Sequence, residues 1–416
     1  MGLRDAGGGS ARFGGEQALT RKRTVAELDQ GVDGKRALVR VDFNVPLKDG
    51  VVGDDTRIRA ALPTLKALKQ IGCRIVLLSH LGRPKGGGYE EKYSLRPVAR
   101  ALEGLLGSPV TFIPDPAASD AVPVTRQLSR GGVALVENTR FLPGEERNDS
   151  ATATLLAALG DFYVNDAFGS AHRAHASTEA LAHLLKPAVA GLLMRKELDY
   201  LGGALERPKR PFVAVLGGAK ISGKIDVIER LLPRVDRILI GGAMANTFFK
   251  AKGGKVGGSL VEDDRLEMAE AIMARAGAKL VLPEGGVAAP SLEQADAARD
   301  VEWNHVPEGW AIYDIDALTV RRFGEILAGA NTAVWNGPMG VFETKPFDRG
   351  TIAVAQALAA ATAKGATTIV GGGDSAAAVA AAGLEDKVSH VSTGGGASLE
   401  FLEGKKLPGV EALDDT

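Results

Sequence analysis

Residues 212–231 read FVAVLGGAKISGKIDVIERL. Five apolar residues, Phe212–Leu216, run into a glycine pair, and a stretch with helical spacing follows the loop. A strand without polar alternation is one covered on both faces. Strand, glycine-rich turn and helix together form the repeating unit of a parallel sheet. Working outward, the unit recurs along the chain. Before it, strand-length runs fall at Ala37–Phe43, Arg74–Ser79, Val110–Ile113, Val133–Val136 and Phe162–Asn165. After it they fall at Arg237–Ile240, Lys279–Leu282, Ala311–Ile315, Thr332–Trp335, Thr367–Val370 and Val388–Val391. The pattern predicts an α/β protein of two domains with mostly parallel sheets.

Between the two sets, Ala188–Leu205 reads as a helix, and the prolines of Glu206–Pro211 break it. The expected organisation is a first domain over 24–187, an interdomain helix and linker over 188–209, and a second domain over 210–398. Residues 1–23, rich in Gly and Arg, are expected to be a tail outside the fold. A disordered extension, a misassigned start and appended residues all fit; a transit peptide fits less well because serine is scarce.

The chain has 416 residues, 45% apolar and 24% charged, which suits a globular protein of two or three domains. Fifty basic against 51 acidic residues argue against a nucleic-acid binder that relies on overall basicity. One cysteine, Cys73, precludes an intrachain disulfide, so a reducing, cytoplasmic setting is the simplest reading. No apolar run approaches the roughly 18 residues of a membrane span.

Open α/β sheets bind ligands beyond the C-terminal ends of their strands. In the first half those ends are basic: Arg40–Pro46 with Arg57 and Arg59 following, Ser79–Pro84 with His80 and Arg83, Glu137–Phe141 with Arg140, and Asn165–His175 with His172, Arg173 and His175. Each arginine alone could pair with a surface carboxylate. Four such ends at equivalent positions point to a pocket for a small, multiply charged anion, because the guanidinium fork takes two oxygens. His172 and His175 have the spacing of a metal pair, but no third ligand lies nearby in sequence.

In the second half the strand ends carry glycine: Gly217–Lys224, Gly241–Met244, Trp335–Glu343, Gly371–Ser375 and Ser392–Ser398. Glycine lets backbone approach phosphate, and the following helix offers its positive end. Gly218–Lys224 imitates a P-loop, but Ile225 stands where that motif needs Ser or Thr for magnesium. Asp374 suits magnesium on a nucleotide or, with Ser375, a helix N-cap. Glu343 suits ribose hydroxyls or is simply a surface carboxylate.

Ten strings in order resemble the phosphoglycerate kinases: RVDFNVPL (40–47), DDTRI (54–58), SHLGRP (79–84), ENTRF (137–141), NDAFGSAHRAHAST (165–178), GGAKISGKI (217–225), GGAMANTF (241–248), WNGPMGVFE (335–343), GGGDS (371–375) and STGGGASLEFLEGKKLPGVEAL (392–413). The resemblance implies two Rossmann-like domains, with residues 399–416 returning to the first. It implies that Asp42, Asn44, Arg57, His80, Leu81, Gly82, Arg83, Arg140 and Arg173 hold 3-phosphoglycerate or 1,3-bisphosphoglycerate. Gly218, Ala219, Lys224, Gly242, Asn336, Glu343, Gly372, Gly373, Asp374 and Ser375 would hold ADP or ATP, with Asp374 beside the nucleotide's magnesium. Arg57 and Lys220 would stabilise the moving phosphoryl group, and Gly395 and Gly396 would help to close the site. The implied protein is a cytoplasmic monomer whose partners are small molecules rather than nucleic acid or membrane. A silent binding protein of the same fold is the alternative.

Three positions depart from the family pattern. Gly223 stands where Asp is usual, L-P-x-D becomes Leu282-Pro283-Glu284-Gly285, and D-I-G becomes Asp314-Ile315-Asp316. A milder change puts Ser375 where Thr is frequent.

Overall fold

A computed structural model describes residues 21–85 and 88–416. The first half contains β1 (Arg36–Arg40), β2 (Arg74–Leu78), β3 (Val110–Ile113), β4 (Val133–Val136), β5 (Phe162–Asn165) and β6 (Ala188–Ala190). They form one parallel sheet in the order β3-β4-β2-β1-β5-β6. The second half contains β7 (Phe212–Leu216), β8 (Arg237–Ile240), β9 (Leu280–Val281), β10 (Gly285–Ala289), β11 (Arg299–Glu302), β12 (Ala311–Ile315), β13 (Thr332–Asn336), β14 (Thr367–Gly371) and β15 (His390–Val391). A second parallel sheet runs β9-β8-β7-β13-β14-β15, and an antiparallel set runs β11-β10-β12. The central strands β1, β5, β7 and β13 are buried at every residue, as their unalternating sequences require. In each sheet the chain steps to one side and then to the other. The reversal falls between β1 and β5 in the first half and between β7 and β13 in the second, where such sheets open a crevice.

Two elements differ from the sequence reading. Ala188–Ala190 is an edge strand rather than the start of a helix; the helix begins at Leu192. The strand is buried because the chain before it closes the edge: Ala190 N–H donates to the Arg23 carbonyl at 2.8 Å. Ala311–Ile315 pairs antiparallel with β10 instead of joining the parallel sheet. Its partners escaped notice because GGVAA and RDVE carry too few bulky apolar residues to read as strands.

Of the expected tail, residues 1–20 lie outside the described residues. Residues 21–23 belong to the fold. Arg23 N–H donates to the Asp414 carbonyl at 2.8 Å, and Lys22 pairs with Asp415 at 2.8 Å. The C-terminal residues cross onto the first half, where Asn165 Nδ2 donates to the Gly409 carbonyl at 3.0 Å and Asp414 N–H to the Ala188 carbonyl at 2.8 Å.

The helix Leu192–Glu206 joins the halves. Asp166 Oδ1 accepts from the amides of Leu193 and Met194, at 2.9 and 3.1 Å, and caps its N-terminus from the first half. Further along, Glu197 accepts from Thr393 N–H at 2.8 Å and lies 2.7 Å from His390 Nε2, both in the second half.

Two of the departures lie side by side. Asp316 N-caps the helix Ala317–Ala328, its Oδ1 accepting from Thr319 N–H at 2.9 Å and from the Thr319 hydroxyl. A Cβ on Gly285 would lie 3.0 Å from Asp316 Oδ2 and 2.5 Å from the Val301 carbonyl oxygen. A side chain at 285 therefore meets the Val301 backbone first and Asp316 second. Asp316→Ala is expected to lower stability by about 1 kcal/mol through the lost cap. Gly285→Asp is expected to be destabilising with or without Asp316→Gly, because the Val301 carbonyl contact remains in both, and urea unfolding of the three variants measures both effects.

Candidate active site

The basic set of the first half converges because its residues leave adjacent strands at the same end. Arg40 is the last residue of β1 and only 1% exposed. Its Nε donates to Ser177 Oγ at 2.9 Å, one Nη lies 3.0 Å from His80 Nδ1, and the other donates to the Val41 carbonyl. Two residues on, Asp42 pairs with Arg57 at 2.8 Å. Burial works against the Asp42 carboxylate, but Arg57, Arg40 and the Asn44 amide outweigh it and hold Asp42 below the usual range. Burial, then Arg40, Arg140 and Arg57, push His80 well below its ordinary value against the pull of Asp42, so the imidazole is neutral at pH 7. Burial followed by the neighbouring Arg140, Arg40 and Arg173 holds His175 at about 4.

Asn44 Oδ1 accepts from Gly82 N–H at 2.8 Å, and Arg140 donates to the Gly82 carbonyl at 2.6 Å. One glycine thus ties three strand ends together. It has φ +61°, and a Cβ there would meet the Tyr93 ring at 2.4 Å, so no other residue fits. Leu81 is buried in the core, and its carbonyl accepts from Asn138 Nδ2 at 2.7 Å. Arg83 and Arg173 are exposed, and Arg173 Nε donates to His172 Nε2 at 3.1 Å.

Sequence reading did not single out Arg40, Ser177 or Glu145 as site residues. Glu145 is fully buried and accepts from Ser177 N–H at 3.0 Å, Ser177 Oγ at 2.5 Å and Thr139 Oγ1 at 3.1 Å. It fixes the serine that orients Arg40. The available signal was an arginine ending an otherwise apolar central strand, where a charge is stable only if partnered.

The glycine set divides in two. Gly217, Gly218 and Gly242 donate their N–H groups to the carbonyls of Asn336, Pro338 and Met339, each at 2.9 Å. A Cβ on Gly242 or Gly337 would run into Gly218 or Gly217 backbone at 2.5 and 2.2 Å. These amides are used within the fold, and what the residues present to a ligand is a surface without side chains. Gly372, Gly373, Asp374 and Ser375 stand instead at the head of the helix Gly373–Ala381, whose first amides have no intrahelical partner. Gly372 has φ +91°, Gly373 and Asp374 are exposed, and buried Ser375 accepts from Gly337 N–H at 2.6 Å, locking this helix to the end of β13. Lys224 reaches in from the opposite side and donates to Asn336 Oδ1. Burial lowers Lys224 to about 8 despite Glu403 and Asp374. Ala219, Lys220 and Glu343 are exposed.

The loop Gly394–Gly396 reaches from the second half to the first. A Cβ on Gly394 would meet the Phe168 ring at 2.5 Å, and one on Gly396 would lie 3.9 Å from His172 Nε2. Gly395 has φ +53°.

An anion pocket on one α/β half faces a helix-headed, glycine-lined cradle on the other, which defines a two-lobed phosphotransferase. The phosphoglycerate kinase family matches residues 27–405. A phosphoglycerate kinase of Chloroflexus aurantiacus is 58% identical over 404 residues, covering 95% of this chain and 99% of its own. That of a Picosynechococcus is 54% identical over 396 residues, at the same coverage. The structure of phosphoglycerate kinase from Coxiella burnetii superimposes with a TM-score of 0.84 at 41% identity, over 94% of this chain and 98% of that one. The chain belongs to the phosphoglycerate kinase family.

The depressed Lys224 gives a pH dependence. In the free protein the ammonium form is full below about pH 8 and is lost above it. Above that point an anionic nucleotide must bind together with a proton, so ADP affinity is expected to fall by up to about tenfold per pH unit. Calorimetric ADP titration from pH 7 to 9.5 checks this. A flat profile, or an unchanged bend in Lys224→Met, would contradict it.

Proposed function

We propose that the chain transfers a phosphoryl group reversibly between the acyl phosphate of 1,3-bisphosphoglycerate and ADP, giving 3-phosphoglycerate and ATP. The observation that carries this reading is the reach of Gly396 to His172, which sets the nucleotide-side loop against the anion pocket. In either direction the nucleophile is already an anion at pH 7, the carboxylate of one substrate or the terminal phosphate of the other. No general base is needed, and the work is positioning and charge neutralisation. Arg40, Arg57, Arg140 and Arg173, with Asp42, Asn44 and the neutral His80, hold the glycerate phosphate. The Leu81–Arg83 turn completes that pocket. Arg57 and Lys220, from opposite halves, neutralise the oxygens of the moving group. Gly395 and Gly396 close over it and keep water out.

Lys224, Asn336 and the Gly372–Ser375 helix head hold the nucleotide phosphates, Gly218, Ala219 and Gly242 give the base a flat bed, and Glu343 faces the ribose. Magnesium enters as part of the nucleotide substrate. The exposed carboxylate of Asp374 supplies hard oxygen suited to it. Among the described residues, no group of three or more His, Cys, Asp or Glu is placed to hold an ion alone. Residues 24–187 with 399–416 form the substrate half, 210–398 the nucleotide half, and 188–209 the connection. One chain carries both residue sets, as a monomeric enzyme requires. No helix among the described residues is long and apolar enough to cross a membrane, and the lone buried thiol of Cys73 suits the cytoplasm.

The test is ADP formation from MgATP and 3-phosphoglycerate, coupled to reduction of the acyl phosphate by a dehydrogenase and NADH. Turnover is expected to require 3-phosphoglycerate and to fall by roughly 10³–10⁵ in Lys220→Ala. Folded protein without 3-phosphoglycerate-dependent turnover would refute the reading.

A further inference from the structure

The segment that carries Lys220 has little packing of its own. Lys220, Ser222 and Gly223 are exposed, and the nearest atom to a Cβ on Gly223 is the Lys220 carbonyl oxygen at 3.9 Å. Ile221 is fully buried and anchors the middle of the loop. The other fixed point comes from forty residues away. Glu262 takes both hydrogen-bonding groups of Ser222: the backbone N–H donates to Oε2 at 3.0 Å and the hydroxyl to Oε1 at 2.5 Å. The residue is itself tethered, since its N–H donates to Thr247 Oγ1 at 3.2 Å on the buried helix Met244–Ala251. A rigid helix thereby holds the loop two residues from the lysine through a two-point clamp. Burial opposes ionisation of Glu262, but the Ser222 hydroxyl and amide, the Ile221 amide and the charge of Lys220 outweigh it, so the carboxylate is ionised and Lys220 is near enough to feel it.

We propose that Glu262 is a positioning residue for phosphoryl transfer, fixing through Ser222 the loop from which Lys220 reaches the moving group. The proposal rests on the role given to Lys220 above. It bears on the departure at Gly223, where the family's usual aspartate is missing between Lys220 and Lys224. In this chain the acid that both grips the loop and faces Lys220 comes from outside it. A lysine on a four-carbon stem samples many positions, and a misplacement of about 1 Å at a reacting centre costs up to about 100-fold in rate. Glu262 acts through Ser222, which it holds at two points, so its loss is expected to act on kcat.

The experiment is steady-state kinetics of Glu262→Ala, Ser222→Ala, Lys220→Ala and the double variant Glu262→Ala with Lys220→Ala. Glu262→Ala is expected to lower kcat about 10- to 100-fold, with both KM values within about twofold of the parent. Ser222→Ala, which removes one of the two bonds and leaves Glu262 in place, is expected to lower kcat several-fold and serves if Glu262→Ala fails to fold. In the Lys220→Ala background, removing Glu262 is expected to change nothing further, because the two residues act through one another. A parental kcat in Glu262→Ala or Ser222→Ala overturns the proposal. So does a loss that is undiminished without Lys220, or one confined to the nucleotide KM. If Lys220→Ala itself turns over normally, the role given to Lys220 fails, and that result is distinct from failure of the clamp.

Discussion

The carboxylate of Glu197 has no exposed surface, and it lies where the two halves of the molecule meet. A buried carboxylate is stable only when its oxygens are occupied. Here one accepts from the amide and hydroxyl of Thr393, at 2.8 and 3.1 Å, and the other lies 2.7 Å from His390 Nε2. Tyr200, nearly one turn further along the same helix, stacks on the His390 ring at 4.8 Å. At the helix start, Asp166 receives two amides from the first-half side, and burial lifts its carboxyl to about 6. The connecting helix is therefore gripped at one end by the first half and along one face by the second. Thr393 immediately precedes Gly394–Gly396. The contact that seats the helix also sets the loop that reaches His172, so the relative placement of the halves and the closing of the site share one buried carboxylate.

This arrangement lets the two ligand pockets be built by opposite means. The anion pocket is made of charges that would repel one another if left alone. Arg40, Arg57 and Arg140 are held close by neutral His80 and Ser177, by the carbonyl oxygens of Val41 and Gly82, and by two carboxylates, Asp42 on Arg57 and Glu146 on Arg140 at 2.8 and 3.1 Å. The result is a pre-formed positive field, with the reorganisation cost met during folding. The nucleotide cradle is made by removing side chains. Gly217, Gly242 and Gly337 stack backbone on backbone at the ends of β7, β8 and β13, where no Cβ fits, and Gly218 beside them has φ +106°. The Gly372–Ser375 helix head offers amides without an intrahelical partner.

The parallel sheets were legible because a strand buried on both faces writes itself as an apolar run, and Phe212–Leu216 and Thr332–Asn336 do so plainly. Site residues were legible where a polar or glycine string follows such a run. Arg40 was less so, because it sits inside the run and its role depends on Ser177 and Glu145, more than a hundred residues away. Glycine strings overstated the cradle, since sequence cannot tell an amide used by Pro338 or Met339 from one left for a ligand. Ala188–Ala190 was read as helix because three small residues become a strand only when Arg21–Thr24 and Asp414 come to lie beside them. Gly285–Ala289 and Arg299–Glu302 were missed for a related reason: their pairing is set by partners, not by their own apolar content.

The departures from the family pattern follow a physical rule of their own. At the end of β12 the carboxylate is carried by Asp316, and its neighbour on β10 is Gly285. The strand pairing puts Gly286 opposite Ile315, so positions 285 and 316 lie side by side, and Asp316 bears the acid. That acid caps the helix Ala317–Ala328. At Gly223 the missing acid is matched by Glu262, which approaches the same loop from a different element. Packing and helix termini constrain where charge can sit far more tightly than they constrain which backbone position supplies it. Motif spelling is therefore a weaker guide at these loops than the positions of the oxygens.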